Sequence, residues 1–154
     1  MKEDVEKIKV FLDSNKVNYQ LLEHEAVFTS EQAAKARNAK LEEGAKSMII
    51  RSEGVFYDFI LSAAKKLDWN KIKDILNSKS ASLADPKEVV EVINCEVGSV
   101  PPFGNLYNLK VYCDPSLLEN EYIEFNAGIH TVSMRMKSKD WKEVVQPEVV
   151  SFAK

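Results

Sequence analysis

Lys46 stands near the start of a β-rich run, Ala45 to Arg51. Side chains alternate along a strand. Lys46 therefore shares a face with Met48 and Ile50, while Ser47, Ile49 and Arg51 take the other. A lysine on an apolar face has two roles open to it. Its stem packs while its ammonium reaches water, or its ammonium sits in a pocket and binds a phosphate, carboxylate or carbonyl oxygen. Further along lies Gly98-Ser99-Val100-Pro101-Pro102-Phe103-Gly104. Its prolines stiffen the backbone and its glycines admit a close ligand. Such a loop can aim N–H groups at a developing oxyanion, or simply bend the chain between a helix and a strand. Asp114-Pro115-Ser116 reads as a turn in which the carboxylate bonds nearby backbone. His24 and His130 are the only histidines, and no CxxC or HExxH pattern accompanies them, so no metal site is read. His130 is a candidate base, but neither a Ser-His-Asp set nor a pair of catalytic carboxylates is visible.

These residues need elements to hold them. Residues 2–16 read as a helix, with Val5, Ile8, Phe11 and Leu12 at helical spacing. Tyr19 to Glu23 reads as a strand, and Thr29 with Gln32 as a capping box opening a short alanine-rich helix. Two strands, Ala45 to Arg51 and Val55 to Leu61, flank a turn at Ser52-Glu53-Gly54. A helix follows to about Leu76, and Asp85-Pro86 starts another that ends near Ile93. Leu109 to Cys113, Tyr122 to Asn126 and Thr131 to Met136 read as strands, and Lys139 to Val145 as a last helix. The order predicts one α+β domain with a mixed, largely antiparallel sheet flanked by helices.

Composition narrows the function. The chain has 154 residues, 45% of them apolar, and a net charge of -3, ordinary values that exclude disorder as its main state. The longest apolar runs are three residues, far short of the roughly 20 that span a bilayer. No secretory signal is read, so the chain is expected in the cytoplasm with Cys95 and Cys113 reduced. The 24 acidic residues outnumber the 21 basic ones. That balance argues against gripping a long duplex, DNA included, and leaves recognition of a nucleic-acid end open.

In order along the chain, several segments resemble the YbaK/ProRS-associated editing domain family. They are His24-Glu25 with Phe28-Thr29, Gly44-Ala45-Lys46-Ser47, Ala84-Asp85-Pro86-Lys87-Glu88-Val89, the Gly98 to Gly104 loop, Asp114 with Ser116-Leu117, and Phe125-Asn126-Ala127-Gly128. The resemblance spans about residues 20–145. It implies a mixed, mostly antiparallel and partly barrel-like sheet with helices around it. It implies a trans-acting aminoacyl-tRNA deacylase with no cofactor, whose substrate is the acceptor end of mischarged tRNA, with a synthetase as a further candidate partner. Family members remove alanine, cysteine, serine or threonine, often from tRNA for proline. The phrases GAKSMII and FNAG lean toward the serine- and threonine-removing branch. The family lysine falls on Lys46 and the GxxxP loop on Gly98 to Pro102. Lys46, Gly98 and Ser99 are thereby implied as catalytic. Phe28, Thr29, Ser47, Val100, Pro102, Phe103, Gly104, Asp114, Asn126 and Gly128 are implied as substrate-binding.

A synthetase separates small side chains poorly, since one methylene is worth only ~1–3 kcal/mol, and a second hydrolytic pocket supplies the rest. The expected mechanism has Lys46 hold the terminal phosphate or ribose, N–H groups near Gly98 and Ser99 meet the oxyanion, and water attack with help from substrate hydroxyls. One conflict stands: in a regular strand Ser47 faces away from Lys46, which a bulge would resolve. Two rival readings are a silent module that binds a tRNA end or a synthetase, and a Schiff-base lysine at position 46.

Overall fold

A computed structural model describes residues 2–154. Helix α1 (Lys2–Ser14) buries Val5, Ile8 and Leu12, and β1 (Gln20–Glu23) follows. Helix α2 (Ser30–Arg37) is capped by Thr29, whose hydroxyl oxygen accepts the Gln32 N–H at 3.0 Å. The return bond of the cap goes from Phe28 N–H to Gln32 Oε1, at 3.0 Å, one residue before the cap itself. Strands β2 (Ala45–Ser52) and β3 (Val55–Ser62) pair without interruption from Ala45 opposite Ser62 to Ser52 opposite Val55. Glu53 and Gly54, with φ of 51° and 78°, close the hairpin in the two-residue geometry that matches strand twist.

Helix α3 (Trp69–Leu76) starts at Asp68, which accepts from Asn70 and Lys71 N–H. A two-residue strand, β4 (Ser82–Leu83), precedes α4 (Pro86–Ile93), where Asp85 and Glu88 form a reciprocal capping box. The remaining elements are β5 (Lys110–Cys113), β6 (Tyr122–Asn126), β7 (Val132–Lys137), α5 (Ser138–Val145) and β8 (Glu148–Val149). β4 and β8 are too short to leave an alternation pattern, and the sequence expectation lacked both.

Two sheets result. One is antiparallel, in the order β1-β7-β6; the other is mixed, in the order β4-β2-β3-β5-β8, with β5 parallel to both its neighbours. A bridge between Gly44 and Glu124 ties them at one corner, and they do not close into a barrel. Apolar side chains between the sheets, including Ile60, Phe103, Phe125, Met134 and Trp141, form the main core. Ile49 packs under α4, and Ile50, Phe59 and Leu61 pack under α3. β4 pairs only with Ile50 and Arg51, which leaves the first half of the outer edge of β2 without a strand. Among the described residues no helix is long and apolar enough to cross a membrane.

Two carboxyls lie inside this fold. Asp58, in the middle of β3, is fully buried and accepts the Ser47 hydroxyl and, at 3.1 Å, the Gly104 N–H. Burial raises its pKa to about 7 against those two bonds. Glu124 is 1% exposed, and neither of its oxygens has a hydrogen-bond partner. Burial and the nearby Glu43 raise its pKa to about 7, opposed by Arg135 and Arg37.

Gly104 packs so closely on Asp58 that an added Cβ would lie 2.7 Å from Oδ2 and 2.8 Å from Cβ of that residue. Gly104→Ala is therefore expected to destabilise the chain by ~1–3 kcal/mol, read as a fall in the urea midpoint. The raised carboxyls give a second expectation. Folded Glu124 keeps its proton up to about pH 7, whereas the unfolded chain releases it near ~4.3. The folded state then binds more protons across that window, so this group's contribution is lost as pH rises through it. Relative to Glu124→Gln, the native chain is expected to lose unfolding free energy between those values, measured by denaturant titrations at several pH values.

Candidate active site

A cavity of about 290 Å³ opens beside the uncovered edge of β2. Its walls are residues 44–49, helix α2 with Phe28 and Thr29 before it, Leu83, Ala84 and Val89, Val97, Gly98 and Val100, and Asn126 at the end of β6. Lys46 and the Gly98 turn thus face one hollow. So do Ser47 and Lys46, although the β2–β3 register is regular and contains no bulge. The alternation is correct and the expected bulge is not there. The cavity runs along the strand's edge, so residues of both faces reach it.

Lys46 is half-buried, and among the described residues no acceptor pairs with its ammonium. Burial lowers its pKa, Lys66 adds to that, and Glu31 opposes it. The lining contains a second cation, Arg37, and no carboxylate. Burial lowers the Arg37 pKa to about 10, partly offset by Glu124, and the guanidinium stays charged at neutral pH. Its Nε donates to Ser133 Oγ at 2.9 Å and its Nη2 to Asn126 Oδ1 at 3.0 Å. Asn126 Nδ2 then donates to Gly98 O at 2.7 Å. An arginine only donates and a carbonyl only accepts, so these partners fix the amide's orientation. On the far side, His24 Nδ1 donates to Glu25 O at 2.7 Å, and Nε2 lies 2.8 Å from Ser133 Oγ.

The turn itself is set by Gly98, whose φ is +90°. Ser99 N–H donates to Glu96 O at 3.0 Å, which makes Gly98 the third residue of a turn that needs positive φ there. The expected oxyanion donor at Ser99 is therefore not free. Pro101 and Pro102 have no N–H, and Phe103 N–H donates to Pro101 O at 2.8 Å. The loop's remaining donors are Gly98 and Val100; among the described residues neither N–H has an acceptor, and both residues line the cavity.

Phe28, Thr29, Lys46, Ser47, Gly98, Val100 and Asn126 line the cavity; the other expected residues do not. Ser99 is buried, its hydroxyl donating to Glu96 O at 2.8 Å. Pro102 O accepts the Trp141 Nε1–H at 2.9 Å, and Phe103 is a core side chain. Gly104 seats on Asp58, and Gly128 N–H donates to Ser99 O at 3.0 Å from behind the loop. Asp114 accepts from Ser116 and, at 2.9 and 3.0 Å, from Phe152 and Ala153 N–H. Burial pushes its carboxyl up, but those bonds together hold its pKa below the ordinary value. These residues shape or anchor the site's surroundings. Phe28 is 69% exposed at the rim, with its ring 4.6 Å from that of His130. His130 is not a cavity residue. Its Nδ1 donates to Val27 O at 2.9 Å and its Nε2 lies 3.2 Å from Glu96, so the ring braces the rim.

Sequence reasoning missed Arg37, Asp58 and Glu124. An acid within Val55-Phe56-Tyr57-Asp58-Phe59-Ile60-Leu61 was a usable signal, since a strand that apolar seldom leaves its centre in water. Arg37 had no such signal, because it ends a polar helix.

The aminoacyl-tRNA editing domain model matches residues 24–144. The Ser/Thr-tRNA deacylase ProXp-y of Escherichia coli is 32% identical over 96% of this chain and 91% of its own. The prolyl-tRNA editing protein ProX of Acetoanaerobium sticklandii is 23% identical over 92% of this chain and 90% of its own. A solved structure described as a candidate trans-editing enzyme for prolyl-tRNA synthetase superposes with a TM-score of 0.84 at 23% identity, covering 98% of this chain and 97% of that one. That likeness concerns the fold. With its sheets, its lysine-bearing strand edge and its clamped turn in place, the chain belongs to the aminoacyl-tRNA editing domain family.

Proposed function

We propose that the chain hydrolyses, in trans, the ester of tRNA mischarged with a small amino acid (Ala, Cys, Ser or Thr), with tRNA for proline as a carrier. The observation that carries this is the cavity's composition. An ammonium without a protein partner, a second cation and two open N–H donors line it, while carboxylates do not. That set suits a phosphate or an oxyanion and supplies no protein base.

Lys46 holds the terminal phosphate or ribose. Phe28, braced by His130, offers an aromatic face to the terminal adenine, a contact worth ~1–3 kcal/mol per base. Gly98 and Val100 N–H groups meet the carbonyl oxygen as it becomes an oxyanion, already aimed before charge appears. Water attacks the carbonyl carbon and gives its proton to a substrate hydroxyl, which passes its own proton to the ribose ester oxygen. The bond from carbon to that oxygen breaks, the ribose leaves with its free hydroxyl, and the amino acid leaves as the carboxylic acid. The small apolar floor of Ile49, Ala84, Val89 and Val100 limits which acyl groups reach the donors. Its working place is the cytoplasm, where charged tRNA is used.

A panel of tRNAs charged with Ala, Cys, Ser and Thr tests this. The chain is expected to release at least one of them, and Lys46→Ala to lower that rate at least ~100-fold, the scale of one lost transition-state contact, with its thermal midpoint nearly unchanged. Binding without release would favour a silent module, and an unchanged rate in a folded Lys46→Ala chain refutes the lysine's role. Phe28→Ala is expected to raise KM by about tenfold and leave kcat nearly unchanged, read in the same assay.

A further inference from the structure

The floor of the cavity is apolar but for one hydroxyl. Ser47 sits on the same face of β2 as Ile49, and around them stand Ala84, Val89 and Val100. Those four side chains offer no hydrogen bond. The Ser47 hydroxyl has a single proton, and it goes to Asp58 on the side away from the cavity. Asp58 cannot turn aside, because it is fully buried and its other oxygen accepts the Gly104 N–H at 3.1 Å. The serine rotamer is thereby held, and its oxygen keeps two lone pairs with no protein donor to fill them. A carboxylate buried to hold one serine in a cavity wall is a costly arrangement, which a merely apolar wall would not need.

We infer that Ser47 is the residue that selects hydroxyl-bearing acyl groups, its Oγ accepting the side-chain hydroxyl of a seryl or threonyl ester. This rests on the editing function proposed above and names its substrate class. A seryl hydroxyl entering the floor meets one partner, Ser47. A threonyl methyl meets Val89 and Val100. An alanyl group fills the floor but leaves the Ser47 Oγ lone pairs dry and unfilled. A site built around a substrate hydroxyl rejects the analogue lacking it, because its own polar group is then left without a bond. Asp58 acts through Ser47 and does not touch the substrate.

The test is the release rate from one tRNA charged in turn with serine, threonine and alanine, at pH 8. Asp58 is ionised there, since burial raises it to about 7. Wild type is expected to favour the seryl and threonyl esters. Ser47→Ala is expected to lower kcat/KM for both by roughly tenfold to a hundredfold, the range of one lost buried hydrogen bond, while release of alanine changes little. Ser47→Cys nearly keeps the volume and keeps a weak donor for Asp58; it is expected to lose the same preference, and it serves if Ser47→Ala does not fold. Equal loss on all three esters, no loss on any, or a wild type that prefers the alanyl ester overturns the inference while leaving the editing function standing. Release from none of the three by wild type overturns both.

Discussion

The bond from Asn126 Nδ2 to Gly98 O, 2.7 Å long, decides which way the turn peptides face. With that carbonyl pulled toward β6, the N–H of the same peptide points back to Glu96. The donors left for the cavity are then Gly98 and Val100, and not the Ser99 donor that the family resemblance implied. Asn126 can play this part only because Arg37 fixes its amide from the other side. Arg37 is in turn steadied by Ser133, which His24 also contacts. Four side chains, drawn from the β1 end, α2, β6 and β7, thus converge on one peptide plane.

Electrostatics explains why the fold tolerates so many buried charges near this point. Two cations face the cavity, and a carboxyl lies behind each part of its wall: Glu124 near Arg37, and Asp58 under Ser47. Desolvation raises both acids, so each gives up stability as it ionises. Neither lines the cavity. A carboxylate within it would pair with Lys46 and repel an anionic ligand. Keeping the acids behind the wall preserves an open ammonium in front of it.

Much of this was legible in the residues. Asp85-Pro86 and Thr29 marked helix starts because capping is local chemistry, and Glu53-Gly54 marked a hairpin because positive φ there has few suppliers. Lys46 and the Gly98 loop stood out because a lysine on an apolar face and a Gly/Pro cluster each break a pattern. The conflict over Ser47 was genuine but wrongly resolved, since periodicity says which face a residue takes and nothing about which edge stays uncovered. Phe103, Gly104 and Asp114 entered the expected site through their place in a motif; they do not line the cavity, and they pack and anchor around it. Arg37 and Glu124 were invisible for a further reason: a charge on a short helix or alternating strand reads as solvated until long-range contacts bury it.

The loop's anchoring carries a thermodynamic consequence. Pro101 and Pro102 stiffen it, Trp141 holds Pro102 O, Gly128 holds Ser99 O, and Asn126 holds Gly98 O. A segment so restrained has little freedom left to surrender as the reacting carbonyl turns tetrahedral. On the proposed mechanism its advantage over bulk water resides largely in a less unfavourable activation entropy, because the ordering of its donors was already completed when the polypeptide folded.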